Sequence, residues 1–298
     1  MTAARRSEVT TGIAFAVTSA VAFGTMPVFA KHAYDNGAEP IPLLAARFTT
    51  AAVLLIVFTT LRREQWRLPP RPATRVFLLG ALAYASESAL FFAALERAPA
   101  SIVTLVFYSY PLWTSLGGFA TRLEPFDRRL LAALALSGIG LMLIFSMPTT
   151  SLAGPLIALG AAFAVTIYYL FAQVVTRDVA PLGSAIHTAA GAALSLTVVS
   201  LAMATDLPSA AVVPAIALGL VTALAFACLY AAITRIGSAR TAVAHMLEPV
   251  TTVVLAIALL GEVLTWRITL GAALVVSALP ILALRRTDRT AITPVVEP

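Results

Sequence analysis

Long apolar runs separated by short polar segments make up almost the whole chain. A helix needs about 20 apolar residues to cross a hydrocarbon core of roughly 30 Å, and runs of this kind can be marked between charges, prolines and glycines. Their approximate bounds are 12–31, 43–61, 76–95, 102–120, 130–146, 154–175, 184–204, 212–233, 242–260 and 266–284. The pattern predicts an all-α polytopic membrane protein with ten transmembrane helices.

The second half of the chain repeats features of the first half. Pro111 and Pro249 each interrupt an apolar run near its middle, and they lie 138 residues apart (249 minus 111). The same offset places residues 230–233, Tyr-Ala-Ala-Ile, on residues 92–95, Phe-Ala-Ala-Leu. We interpret the chain as two five-helix repeats; because five is odd, the second begins on the opposite side of the membrane and the repeats are inverted. The predicted division is a tail at 1–11, repeats at 12–148 and 149–284, and a tail at 285–298.

Basic residues are concentrated on one side of the predicted membrane. Only 11% of the residues are charged, against about 25% in a soluble domain, yet the net charge is +6. With the N-terminus inside, sixteen basic residues fall in cytoplasmic segments and only Lys31, Arg97 and Arg267 fall outside. This positive-inside bias predicts that both termini are cytoplasmic, and that the partner of these charges is a lipid bilayer and not a nucleic acid.

Three prolines, Pro27, Pro111 and Pro249, lie inside predicted helices. A proline removes one backbone donor and its ring displaces the carbonyl four residues earlier, which frees the carbonyls of Phe107 and His245. Hydrocarbon offers such carbonyls no partner, so kinks belong where protein or a water-filled cavity surrounds them. We therefore predict kinks that face the interior of the protein.

Glu87 lies eleven residues past the start of the third apolar run, roughly 16 Å into the membrane at about 1.5 Å per residue. An ionised carboxylate at that depth costs several kcal/mol without water or a partner. Tyr84 and Phe91 share its helix face, and Ser88 can donate a hydrogen bond to it. Two interpretations stay open: a protonated acid bonded between helices, or a functional group.

Other polar residues inside apolar runs also leave alternatives open. His245 and Glu248 lie on one face of helix nine, either as a structural hydrogen bond or as a site that exchanges protons or binds ammonium. Arg47 is either a near-interface cation that reaches water or a gating or substrate-binding group. We interpret Glu124 and Glu262, at equivalent positions of the two halves, as helix-end caps.

Several kinds of site have no sequence signal. The chain has no His-Glu-x-x-His pattern, no Gly-rich phosphate loop followed by Lys, and no nucleophile elbow. It has three histidines, and its single lysine is Lys31. We therefore predict no metal site, no cofactor and no enzymatic activity.

Several short patterns occur in an order that resembles a known family. They are Pro42-x4-Arg47, Tyr110-Pro111, Glu248-Pro249, Arg122-Leu123-Glu124 and residues 260–265, Leu-Gly-Glu-Val-Leu-Thr. With ten spans in two halves, they resemble the drug/metabolite transporter superfamily, EamA family, and look most like its YddG-type amino-acid exporters. The resemblance implies a multi-pass protein of the cell inner (plasma) membrane that exports small molecules by alternating access, through a central cavity lined by both halves.

The inward faces of the predicted helices combine aromatic rings with very few charges. An aromatic wall accepts an apolar side chain and attracts an ammonium group. Glu87 or Glu248 can hold that ammonium, and a protonated His245 is the one cation we expect for a carboxylate. We predict a secondary transporter that exports small metabolites, most of all amino acids including apolar or aromatic ones. The predicted substrate-binding residues are Tyr84, Glu87, Phe91, Tyr108, Tyr110, Tyr168, Tyr169, His245 and Glu248.

Competing hypotheses use the same residues. A multidrug or quaternary-cation exporter of the same superfamily would suit the acids and aromatics equally well. A membrane-embedded enzyme is the hypothesis from another class. Proton coupling through Glu87 is an open possibility, and the sequence carries no signal for an oligomeric state.

Overall fold

The computed structural model describes residues 3–98, 100–121, 152–176, 179–236, 241 and 244–260, with single positions and short pieces within 132–143 and 266–277. Every regular element in these residues is helical. The predicted fifth and tenth helices, at 130–146 and 266–284, lie largely outside the described residues. The predicted caps Glu124 and Glu262 lie outside them altogether.

Ten α-helices are described. They are α1 (Ala3–Asp35), α2 (Pro40–Leu61), α3 (Pro70–Leu78), α4 (Ala85–Arg97), α5 (Ala100–Phe107), α6 (Tyr110–Ala120), α7 (Ala153–Val175), α8 (Pro181–Ala202), α9 (Val212–Ile236) and α10 (Leu247–Leu260). A π-helical segment, Leu79–Tyr84, joins α3 to α4 into one rod, and a 3-10 turn, Ser209–Ala211, leads into α9.

Six stretches of the described residues are long and apolar enough to cross a membrane. They are Glu8–Asp35, Pro40–Leu61, Pro70–Arg97, Ala153–Val175, Pro181–Ala202 and Ser209–Ile236. Their outward faces carry large apolar side chains such as Val57, Leu82 and Leu194, which are exposed. An apolar surface of this extent fits contact with lipid and not with water. Six of the ten predicted apolar runs therefore coincide with membrane-length helices.

Three of these helices start earlier than the hydrophobic pattern predicted. Pro40, Pro70 and Pro181 lie in the first turns of α2, α3 and α8, three to six residues before the predicted starts of the runs. Proline suits a first helical turn, because its fixed φ is helical and its missing N–H would have no partner there. The segment between the second and third predicted runs, 62–75, is shortened accordingly, since its residues from Pro70 onward are helical.

Two of the three predicted kinks are full breaks between helices. α5 ends at Phe107 and α6 begins at Tyr110, with Pro111 in its first turn. Pro249 likewise lies in the first turn of α10, after a turn at His245 and Met246. Only Pro27 lies inside a continuous helix, α1. A proline costs little in a first turn, so breaking the helix just before it avoids the interior clash.

Packing between the two halves follows a two-fold pattern. α1 packs on α9 and α10, and its counterpart α7 packs on α4, α5 and α6. α2 packs on α9. Its counterpart in the second half, α8, packs on α3 and the π segment. α2 and α8 also pack on each other. Each half therefore buries its helices mainly against the other half, as expected for a duplicated chain with a self-complementary interface.

Glycines allow the closest of these contacts. A Cβ atom at Gly80 in the π segment would overlap the Thr188 carbonyl of α8, and one at Gly191 would overlap the Phe77 carbonyl of α3. The two helical rods thus meet backbone to backbone. Small residues commonly allow such approach between membrane helices, because dispersion contacts, not hydrophobic transfer, stabilise them.

Gly191→Ala is expected to destabilise the protein by about 1–3 kcal/mol, because the added methyl group forces α8 away from α3. Gly160→Ala is the matched control, since a Cβ there meets only Leu90 Cδ1 at an ordinary 3.7 Å. Thermal unfolding of the detergent-purified variants measures both. Equal melting temperatures for the two variants would contradict the close contact at Gly191.

Candidate functional site

A cavity lies between the two halves, where the helix breaks meet. Its empty volume, counted together with the space open to solvent, is about 690 Å³. Residues of the π segment and of α1, α2, α4, α5, α6, α7, α9 and α10 line it. Eight of the nine predicted substrate-binding residues are among them: Tyr84, Glu87, Phe91, Tyr108, Tyr110, Tyr169, His245 and Glu248.

The helix breaks bring polar and aromatic groups to the cavity wall. Tyr108 lies in the turn between α5 and α6, and Tyr110 opens α6. On the other side, His245 lies in the turn before α10, and its carbonyl accepts a hydrogen bond from the Glu248 N–H (2.9 Å). The carbonyl that the sequence predicts Pro249 to displace is therefore satisfied locally, and the broken segment is stable inside the protein.

Aromatic rings form one continuous wall. The Tyr110 and Tyr169 rings are stacked, with centroids 5.5 Å apart and an interplanar angle of 8°. Phe107 packs against Phe91 at 4.8 Å and against Tyr110 at 5.3 Å. Ring pairs at these distances attract each other through their quadrupoles as well as by burial. The wall therefore has a defined shape before any ligand binds.

Tyr168, the ninth predicted residue, is not among the residues that line the cavity. Its hydroxyl shares a 2.6 Å hydrogen bond with the Tyr230 hydroxyl, which in turn bonds Thr188 Oγ1 at 2.7 Å. Tyr168 and Tyr169 point about 100° apart on α7; Tyr169 lines the cavity, whereas Tyr168 points towards Tyr230 of α9. The Tyr168–Tyr230–Thr188 chain instead joins α7, α9 and α8.

Glu87 lies on the cavity wall near the start of α4. Its side chain is buried, with 7% of the residue exposed, and Ser88 Oγ donates a 2.9 Å hydrogen bond to its Oε2. Tyr84 and Phe91, which share its helix face, also line the cavity. The π segment ends at Tyr84; such irregular turns often occur at functional sites because they redirect side chains.

His245 and Glu248 form a close pair on the opposite wall. Nδ1 of His245 lies 2.6 Å from Oε1 of Glu248, with side-chain exposures of 2% and 15%. The other ring nitrogen, Nε2, is buried and has no hydrogen-bond partner among the described residues. The contact through Nδ1 therefore holds the two side chains together, while Nε2 remains as a polar atom that a ligand in the cavity can bond.

Arg47 also lines the cavity, although it is not among the nine predicted substrate-binding residues. It was interpreted either as a snorkelling cation or as a functional group, and the structure excludes the first alternative: Arg47 is 2% exposed and lines the cavity. Because α2 begins at Pro40, Arg47 is the eighth residue of the helix, about 10 Å from its start. An arginine inside an apolar run is the sequence signal that indicates such a residue.

Three contacts fix the Arg47 guanidinium. Nε donates a 2.7 Å hydrogen bond to Thr222 Oγ1 of α9. The guanidinium carbon lies 4.6 Å from the Phe48 ring centroid and 5.3 Å from that of Phe92. Cation–π contacts of this kind stabilise a desolvated cation by about 2 kcal/mol. They orient the charge without neutralising it.

α1 closes the cavity against α10. The Phe23 ring lies 5.7 Å from the His245 ring, and Thr252 Oγ1 donates a 2.9 Å hydrogen bond to the Gly24 carbonyl. Pro27, one of the predicted kink residues, also lines the cavity. Within the described part of the chain, no three His, Cys, Asp or Glu side chains converge as a metal site would require.

A polar, partly charged cavity between two halves of an apolar helical bundle is the architecture of a membrane transporter. The sequence profile of the EamA-like transporter family matches the chain twice, at residues 10–146 and 152–284. The chain therefore belongs to the EamA-like transporter family of the drug/metabolite transporter superfamily, and is a multi-pass transporter of small molecules. The two matches also establish its two-repeat organisation.

Comparison with solved structures supports the fold but says nothing about the substrate. A solved structure described only as "Crystal structure of protein" is similar, with a TM-score of 0.76 at 18% sequence identity over 92% of this chain and 97% of that chain. At this identity the similarity shows the fold alone. No curated protein matches the sequence.

Tyr168→Phe and Tyr230→Phe are each expected to lower the free energy of unfolding by about 1 kcal/mol, through loss of a buried hydrogen bond. The double variant should cost less than the two single costs together, because both changes remove the same bond. Thermal unfolding of the three variants in detergent measures this coupling. Additive costs would show that the two hydroxyls are not paired.

Proposed function

We propose that this protein is a secondary transporter, similar to the YddG-type exporters, that exports amino acids, including apolar or aromatic ones, across the cell inner (plasma) membrane. Ten transmembrane helices form two inverted five-helix repeats with both termini in the cytoplasm. Alternating access exposes the cavity between the repeats to one side of the membrane at a time. Family membership supports the transport activity, and the chemistry of the cavity supports the substrate class.

The observation that carries the proposal is the mixture of groups around one cavity. The cavity is lined by aromatic rings, including Tyr110 and Tyr169, and by ionisable groups of both signs: the Arg47 guanidinium and the Glu87 and Glu248 carboxyl groups. A zwitterion with an apolar side chain needs this combination: a cation for its carboxylate, an acceptor for its ammonium group and a ring surface for the side chain. Ligand sites are typically apolar with a few such placed polar groups.

A multidrug or quaternary-cation exporter is the competing function. Glu87, Glu248 and the aromatic rings favour a cationic substrate. Arg47 counts against it, because a fixed positive charge on the same wall repels a permanent cation. The cavity therefore fits a zwitterion better than a cation.

The helix breaks support a mechanism for alternating access. Short helices that end at a turn can tilt about that turn, as hinges in loops or at element ends usually do. The breaks at Tyr108 and Ser109 and at His245 and Met246 lie beside the cavity and belong to opposite halves. We assign them as the hinges, with Pro111 and Pro249 keeping each break in place and Pro27 bending α1.

Purified protein in liposomes, loaded with a mixture of amino acids and quaternary cations, tests the substrate class. We expect efflux of amino acids, with phenylalanine and tryptophan among them, and competition by excess phenylalanine. Empty liposomes give the background leak. Efflux of the cations alone would replace the proposed function with multidrug export.

Glu87→Gln tests proton coupling. We propose that Glu87 carries the coupled proton, so transport by the wild-type protein should vary with pH between about 5 and 8, where carboxylate and imidazole groups in proteins can titrate. Gln has the same shape but binds no proton, so the profile of initial rates should become flat.

Glu96→Gln is the matched control for that experiment, because the Glu96 side chain is 47% exposed and pairs with Arg97 away from the cavity. Its pH profile should match that of the wild-type protein. An unchanged pH profile in Glu87→Gln would exclude Glu87 as the proton carrier.

A further inference from the structure

Arg47 is a buried cation that its surroundings hold in place without neutralising. Its contacts include neutral groups only: the hydroxyls of Thr222 and Tyr84 and the two phenyl rings described above. Glu87 is close enough to interact with it electrostatically, but no carboxylate in the described part of the chain forms an ion pair with it. Burying a charge in a membrane protein is costly, and buried charges are normally paired or functional.

The second half of the protein makes the equivalent helix contact without a charge. α2 begins at Pro40 and α8 at Pro181, so the eighth residue of each helix is Arg47 and Thr188. Arg47 contacts Phe92, whereas Thr188 bonds Tyr230, which occupies the position of Phe92 at the offset of 138 residues (230 minus 92). The fold therefore joins these helices with neutral groups when it can, and the charge of Arg47 needs another explanation.

Unused polar atoms line the same cavity. Thr104 Oγ1 and His245 Nε2 are buried and have no hydrogen-bond partner among the described residues. Nearly all buried polar groups in folded proteins are paired, so atoms of this kind indicate a ligand or water that completes them. Together with an unneutralised guanidinium, they indicate a polar ligand with a negative group.

The charged groups of the cavity are distributed over three helices. Arg47 is on α2, Glu87 on α4 and Glu248 on α10, where Glu248 is already paired with His245. Glu87 interacts electrostatically with both Arg47 and Glu248. A ligand can therefore place an anionic group on the α2 wall and a cationic group between Glu87 and the α10 wall.

We propose that Arg47 binds the carboxylate of the substrate and thereby makes the transporter prefer a zwitterionic amino acid over the amine that lacks this carboxylate. The proposal rests on the proposed function and names its specificity-determining residue. A guanidinium matches a carboxylate through two parallel hydrogen bonds; the bond to Thr222 uses only Nε, so the terminal nitrogens can turn to a substrate in the cavity that Tyr84 also lines. Phe48 and Phe92 keep the guanidinium plane oriented.

Two ligands that differ only in the carboxylate, phenylalanine and phenethylamine, test this role. Binding to the detergent-purified full chain is measured by calorimetry, or as inhibition of transport in liposomes. Arg47→Gln is expected to weaken phenylalanine binding by about 10- to 100-fold, the range for a lost charge-assisted hydrogen bond. Phenethylamine binding should stay the same or become tighter. Equal weakening of both ligands would show a merely structural role and overturn the proposal.

Arg97→Gln is the matched control, because it removes an exposed arginine whose partner is Glu96; it should change neither affinity. Thr222→Val covers the case in which Arg47→Gln fails to fold, since it keeps the charge and removes only the bond that orients it. We expect a several-fold loss for phenylalanine and none for phenethylamine. An unchanged ratio of the two affinities in Thr222→Val would overturn the proposal.

The two proposals fail in different ways. If the wild-type protein moves only cations in the liposome experiment, the proposed function fails and this inference fails with it. If the wild-type protein transports amino acids while Arg47→Gln keeps the full preference for phenylalanine over phenethylamine, only the assignment of Arg47 is wrong.

Discussion

The interior of a bilayer offers no water to a free carbonyl group or to a charge, and this constraint determines where the irregular parts of the protein lie. The breaks after Phe107 and before Leu247, and the buried side chains of Arg47, Glu87 and His245, all border one cavity between the two halves. Unpaired backbone groups and charges cost several kcal/mol in lipid, but they can be solvated or paired beside a polar cavity. The lipid-facing surfaces can then consist of regular apolar helices.

Duplication explains how that cavity is enclosed. Each half packs mainly on the other, and contacts such as Gly80 on Thr188 and Gly191 on Phe77 bring helices together at backbone distance. The two halves share this packing while their chemistry differs: Tyr110 in one half corresponds to Glu248 in the other at the offset of 138 residues. A symmetric scaffold with an asymmetric lining suits a substrate whose two ends differ.

Prediction from the sequence succeeded where one local rule decides the outcome. Pro111 and Pro249, in the middle of apolar runs, placed two helix interruptions within a few residues, whereas Pro27 lies inside a continuous helix. The intramembrane acid Glu87 lines the cavity. The hydrophobic pattern predicted the starts of helices less accurately, because a helix can begin at a proline such as Pro70 before its apolar residues begin. It did not separate Tyr168 from Tyr169, since a pair of adjacent tyrosines does not reveal which of them lines the cavity.

By itself the sequence determined the all-helical membrane character, the duplicated halves and most of the polar residues that meet, because these follow from hydrophobic length, helical period and the chemistry of proline. Tertiary structure alone decided that Arg47 faces the cavity, that Tyr168 bonds Tyr230 and that the halves pack through glycine contacts. Those outcomes depend on the rotation and separation of helices far apart in the chain, and both are set by how side chains of neighbouring helices fit together.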